Sequence, residues 1–130
     1  MVINTLAVEA VFADLVTEQP QAVRLQRLVG WLRAQFRCGA VALLRLEEDH
    51  LRPVAVDGLV GEALGRRFAA GQHPRPAAIL PRGAVTCFDH DSQLPARYDG
   101  PLAALVVEPL PLHDCMGVGL RIDGQPWGVL

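Results

Sequence analysis

The stretch GVGLRIDGQPWGVL, Gly117 to Leu130, reads as strand, turn, strand. Asp123-Gly124 supplies the positive backbone torsions that a tight antiparallel hairpin needs, and apolar residues run on both sides of it. Further strands are legible upstream. VALLRLEED (41–49) and LRPVAVDGL (51–59) are two short runs rich in branched residues, joined by the polar turn from Glu47 to His50, and they predict a second hairpin. AVTCF (84–88), which follows the punctuation Pro81-Arg82-Gly83, predicts one more strand.

Ahead of the strands the hydrophobic period is helical. Val8, Val11, Phe12 and Leu15 recur at helical intervals between Thr5 and about Glu18, and Pro20 breaks the run and starts a new helix. Leu25, Leu28, Val29, Leu32 and Phe36 then form a stripe, with Arg24, Arg27 and Arg33 off it, so the second helix should lay one apolar face on a core. Short helices are expected over GEALGRRFAAG (61–71) and PRPAAIL (74–80), and irregular chain from Asp89 to about Glu108. Helices first and a meandering antiparallel sheet after them is an α+β plan.

The bulk properties narrow the function. A chain of 130 residues, 51% hydrophobic and 20% charged, is the size and composition of one globular domain. A formal charge of -2, from 12 basic and 14 acidic residues, offers no field for a polyanion, so direct nucleic-acid contact is not expected. No apolar run approaches the ~20 residues that cross a bilayer. Three cysteines at irregular spacing, Cys38, Cys87 and Cys115, with no charged-then-apolar leader, suggest a reducing cytoplasm. Cys38 is expected to be buried among apolar neighbours and Cys87 to be a sheet residue. The final WGVL stops inside an apolar strand, so the chain is expected to be truncated at its C-terminus, to leave an unpaired edge or uncovered apolar surface, and to self-associate as a homodimer.

In PLHDCMGVG (111–119), His113 and Cys115 stand at i and i+2, which on a strand places both side chains on one face with backbones ~7 Å apart. That spacing suits two ligands of one cation, and it equally suits a strand that merely begins polar. Asp99 in RYDGP can present a carboxylate from a loop or simply make an Asp-Gly turn. A carboxylate, an imidazole and a thiolate together suit Fe(II) with open positions, and Zn(II) nearly as well. His50, His73 and the Asp89-His90-Asp91 run read as solvated surface.

The closing hairpin resembles the end of a GAF domain, a small α+β sensor fold. With DGL (57–59), LGRRF (64–68), HPR (73–75), LPARYDG (94–100) and HDCMG (113–117) in this order, the chain from about Leu25 onward resembles the N-terminal GAF domain of the NorR group. These are nitric-oxide-responsive, sigma-54-dependent bacterial activators. The resemblance implies a central antiparallel sheet with the N-terminal helices on one face and ligand-pocket loops on the other. It also implies a non-haem Fe(II) that binds nitric oxide and an adjacent AAA+ ATPase domain that the iron site controls. The AAA+ and DNA-binding domains of the group are not expected within these 130 residues.

Carried over by matched motif, the metal ligands are Asp99, His113 and Cys115. Ala96 stands where the group has an acid three residues before the YDG aspartate, and a further acid would follow Leu130. Arg75 of HPR is placed at the open coordination position, where a guanidinium can donate to a bound diatomic. Tyr98 is a candidate to pack over the pocket or bond the ligand, and Arg82 lies one residue from the group's second arginine. Alternatives are a GAF module for a cyclic nucleotide or another organic ligand, with Arg75 meeting a phosphate, and a GAF-fold methionine sulfoxide reductase.

Overall fold

Pro20 gives the second helix its start, and Arg37, at φ 50 in the left-handed region, ends it. The computed structural model describes residues 4–59, 64, 66–70, 74–88 and 115–130. Along the chain these form α1 (Thr5–Leu15), α2 (Gln21–Phe36), β1 (Val41–Glu47), β2 (His50–Asp57), β3 (Phe68–Ala69), α3 (Pro74–Ile79), β4 (Thr86–Phe88), β5 (Cys115–Gly117), β6 (Gly119–Ile122) and β7 (Gln125–Val129).

Five strands make one antiparallel sheet in the order β3-β2-β1-β7-β6, and β4 pairs with β5 in a separate two-stranded sheet. The architecture is the α+β plan read from the sequence. Both expected hairpins are present. Glu48, at φ 57, turns β1 into β2, and Asp123 (φ 51) with Gly124 (φ 76) turns β6 into β7. Such torsions strain most residues and suit glycine, which explains the Asp-Gly pair at the second turn.

The central sheet is covered on both faces. Leu43 and Leu44 are successive residues of β1, so their side chains leave opposite faces. Leu43 is opposite Ala55 of β2, and these two join Val29 of α2 in a buried cluster that also receives Leu25, Val41, Leu120 and Trp127. Leu44 is opposite Val129 of β7, and Val129 joins Ile79 of α3 and Phe88 of β4 in a second cluster. The first cluster is helix on sheet; the second places α3 and the β4–β5 pair over the far face.

Polar contacts tie α2 to β2 along one edge of this packing. Gln26 Nε2 donates to the Val56 carbonyl at 2.6 Å, and Arg33 Nη1 donates to Asp57 Oδ1 at 2.9 Å. The first helix is held less firmly. None of its residues is buried, it packs on α2, and Arg27 reaches back to Asp14 at 2.6 Å.

Several expectations are corrected. The first helix stops at Leu15 rather than near Glu18, in a turn where Thr17 Oγ1 donates to the Asp14 carbonyl. Within the run 61–71 expected as helix, the described Phe68–Ala69 is strand, because the open edge of β2 supplies backbone partners: Leu51 pairs with Phe68 and His50 with Ala69. The run from Cys115 to Ile122 is not one strand. It divides at Val118, with β5 pairing β4 and β6 pairing β7, and Val118 itself exchanges two backbone hydrogen bonds with Leu130. Because β7 lies between β1 and β6, the last strand of the chain is interior to the sheet, and among the described strands β3 and β6 are its edges.

Among the described residues, no helix is long and apolar enough to cross a membrane.

Candidate functional site

The far face of the sheet brings together two of the residues singled out from the sequence. Arg75, in the first turn of α3, is 3% exposed, and its Nη1 donates to Cys115 Sγ on β5 at 3.2 Å. Its Cζ lies 5.2 Å from the centroid of the Phe88 ring. Phe88 and Cys115 are register partners across the β4–β5 pair, so the guanidinium sits against one cross-strand pair, sulfur on one side and aromatic face on the other.

The local sequence accounts for this placement. Pro74 and Pro76 suit the first turn of a helix, where a missing N–H costs nothing, and they start α3 beside Arg75. Ile79, at the helix end, is buried against Phe88 and Val129 and seats α3 on the sheet. Gly117 permits the approach: a Cβ there would lie 2.8 Å from Ile79 Cδ1 and 2.9 Å from the Leu130 carbonyl oxygen. With the helix seated so closely on β5, a side chain as long as arginine can reach across to Cys115 two residues away from that glycine.

Arg82 is placed elsewhere. It is exposed in the turn after α3, where its Nη1 donates to Thr86 Oγ1 at 3.4 Å. Asp99, His113 and Tyr98 lie outside the described residues, as do His73 and the Asp89-His90-Asp91 run. Among the described residues, no three His, Cys, Asp or Glu side chains gather as a metal cluster.

The remaining thiols differ from expectation in one respect. Cys87 is a sheet residue, exposed at the centre of β4, whereas Cys38 is exposed and not buried. Arg37 ends α2 in the left-handed region, and next to it Cys38 Sγ contacts the Ala40 carbonyl at 3.5 Å. A shallow hollow of about 390 Å³ opens there, lined by Gly30, Arg33, Ala34, Arg37, Cys38 and Asp57. It is on the helix-covered side of the molecule and holds none of the candidate site residues; its Arg33–Asp57 pair is the clasp between α2 and β2.

What the sequence did not disclose is Phe88. It read only as the end of a strand, yet it is the aromatic platform of the Arg75–Cys115 contact. In the structure it is buried with Thr86 while Cys87 between them is exposed.

No family model matches the sequence. Individual relatives do. The chain is 74% identical over 118 residues to the nitric oxide reductase transcription regulator NorR2 of Cupriavidus necator, which covers 91% of this chain and 23% of that protein. It is 41% identical over 130 residues to the anaerobic nitric oxide reductase transcription regulator NorR of Serratia proteamaculans, covering 100% of this chain and 25% of that protein. The chain thus spans about a quarter of the length of the curated relatives it matches. These relatives are named for transcription regulation.

Solved structures agree on the fold. The GAF domain of an Acinetobacter phosphoenolpyruvate-protein phosphotransferase superposes with a TM-score of 0.73 at 13% identity, covering 98% of this chain and 76% of that one. The corresponding GAF domain from Coxiella burnetii gives 0.70 at 15% identity, covering 95% and 73%. Homology to the NorR regulators over nearly its whole length, carried on this fold, identifies the chain as a GAF domain of the NorR family.

Proposed function

We propose that this domain is a cytoplasmic sensor that binds nitric oxide at a mononuclear non-haem Fe(II) and controls an adjacent AAA+ ATPase of a sigma-54-dependent activator. The observation that carries the reading is the meeting of Arg75 and Cys115, in a chain homologous to regulators named for nitric oxide reductase. Cys115 offers a sulfur donor on a half-buried strand, and the guanidinium beside it balances the negative charge that a metal-bound thiolate carries. Sulfur with a charged hydrogen-bond donor fits a metal ligand supported by its surroundings.

With Cys115, the ligands would be Asp99 and His113, and Tyr98 is the further candidate for contact with the bound gas. Fe(II) in such a mixed oxygen, nitrogen and sulfur set supplies open coordination positions for a diatomic molecule. The protein's own part is to hold the sulfur and to transmit a change at it. Cys115 is on β5, β5 abuts α3 through Gly117 and Ile79, and α3 is seated on Val129 of β7. A shift at the sulfur therefore bears on packed elements that reach the end of the chain, where contact with a following domain can be biased.

Anaerobic reconstitution of the full-length protein with Fe(II), followed by nitric oxide, tests this. One iron per chain and a new EPR signal on adding the gas are expected, both weakened in Cys115→Ser and Asp99→Ala. Full-length protein that takes up no iron, or a signal indifferent to both substitutions, would overturn the reading.

A further inference from the structure

We infer that the outer face of α1 is an interface with a second copy of this chain: α1 of each copy packs on the start of α2 of the other, about a two-fold axis. The inference makes no use of the metal reading.

α1 is apolar on two sides. Ala7, Val8, Val11 and Leu15 are half-buried on the side toward α2, and two arginines of α2 hold the helix there. Arg27 pairs with Asp14, and Arg24 Nη1 donates to the Leu15 carbonyl at 2.8 Å. The other side carries Leu6, Ala10, Phe12, Ala13 and Val16, all exposed, Leu6 by 71%, Phe12 by 63% and Val16 by 82%. Their spacing places them on one arc of the helix, with Glu9 the single charge among them. Eleven residues make a helix that is marginal on its own, so its stability comes from what it packs against.

Charge selects a second copy as the occupant. α1 holds the acids Glu9 and Asp14 and no base, whereas α2 holds Arg24, Arg27 and Arg33 and no acid. Asp14 is taken by Arg27 of its own chain, but Glu9 has no ion-pair partner among the described residues. At the exposed start of α2, Val23 (39% exposed) and Arg27 stand four residues apart on one face. With α1 laid antiparallel on α2 of a second copy, Glu9 meets that copy's Arg27, and Phe12 and Val16 flank its Val23. Alanines at 10 and 13 allow the close approach. Pairing α1 with α1 would instead bring two acidic helices together. The two-fold axis makes each of these contacts twice.

The size of the patch sets the strength. Leu6, Phe12, Val16 and Val23 bare roughly 400 Å² between them, about half of the ~800 Å² that each partner of a standard interface gives up. The dimer is therefore a weak, micromolar one. In dilute solution the copies separate and Phe12 is bare.

Full-length protein with the photo-cross-linker p-benzoylphenylalanine in place of Phe12 tests this. Isotopically light and heavy copies are mixed at concentrations above micromolar, irradiated and digested, and the joined peptides are identified by mass spectrometry. A light-to-heavy cross-link ending within residues 21–27 of α2 is expected, and its yield should fall several-fold in Glu9→Lys, which turns the pair with Arg27 into a repulsion. No cross-link, or one to another part of the second copy, overturns the inference. So does a cross-link within one copy to a segment beyond Leu130, which would make that segment the cover of α1. A yield indifferent to Glu9→Lys overturns the pairing of α1 with α2. If the protein substituted at Phe12 does not fold, as judged by circular dichroism, the same group in place of Val16 decides by the same outcomes.

Discussion

Arg75 Nη1 and Cys115 Sγ meet at 3.2 Å across 40 positions of sequence, with the Phe88 ring beneath the guanidinium. The contact joins α3 to β5 and therefore has a structural cost of removal apart from any metal. Cys115→Ala takes one acceptor from a buried charged group and should destabilise the domain by about 1–3 kcal/mol. Cys87→Ala, one strand away and exposed, should change stability by no more than about 0.5 kcal/mol. Urea unfolding midpoints of the two variants distinguish them; equal midpoints would count against the contact.

Gly117→Ala should loosen the seat of α3. The added Cβ would stand 2.8 Å from Ile79 Cδ1 and 2.9 Å from the Leu130 carbonyl oxygen, and the second of these is backbone that cannot swing aside. Overpacking of this kind costs about 1–3 kcal/mol. Thermal unfolding should register the loss, and pairing Gly117→Ala with Ile79→Val should recover part of it.

The two N-terminal helices should answer very differently to truncation. Val29 of α2 is fully buried against Leu43 and Ala55, so Val29→Ala should cost about 1.5–3 kcal/mol. Phe12 of α1 is 63% exposed despite its size, and Phe12→Ala should cost under about 0.5 kcal/mol. Comparable losses in chemical denaturation would mean that α1 is covered in solution, as the expected homodimer would cover it.

Glu47 gives the hairpin a pH dependence of known sign. Arg52 Nε donates to its carboxylate at 2.7 Å, and this hydrogen bond, helped by the charges of Arg52, Arg67 and Arg45, holds the Glu47 carboxyl below its ordinary value of 4.5. With the folded value below the unfolded one, the stabilisation is fully present above about pH 4.5 and is lost as pH falls through the folded value. Glu47→Gln should therefore melt below wild type at pH 7, and the gap should close as the pH is taken toward 3. A gap that is constant across this range would show that the Arg52 contact does not act through charge.

Local chemistry made much of the fold legible. The apolar stripe of α2, the proline start of α3 and the Asp-Gly turn at 123–124 are short-range signals, each set by a few neighbouring residues. The segment around Phe68 was misread because its apolar spacing satisfies a helix as well as a strand. The edge of β2, which settled the matter, comes from residues 17 positions earlier. The exposure of Cys38 was hidden for a similar reason. Apolar neighbours in sequence suggested burial, but Cys38 follows directly on the left-handed end of α2 at Arg37 and is exposed.

The candidate site was legible as residue types and motifs: Arg75 and Cys115 were singled out by the patterns around them. That one of them donates to the other was not, since the meeting depends on α3 lying close on β5, on a glycine that admits it, and on the division of a continuous apolar run at Val118 into strands of two different sheets. By itself the sequence determined the elements with strong local periods or turn chemistry, and through its motifs the family. Only the tertiary structure decided which strands pair, that the last strand is interior, and that a buried guanidinium rests on a sulfur, because each of those outcomes is a competition among partners distant in the chain that no local pattern records.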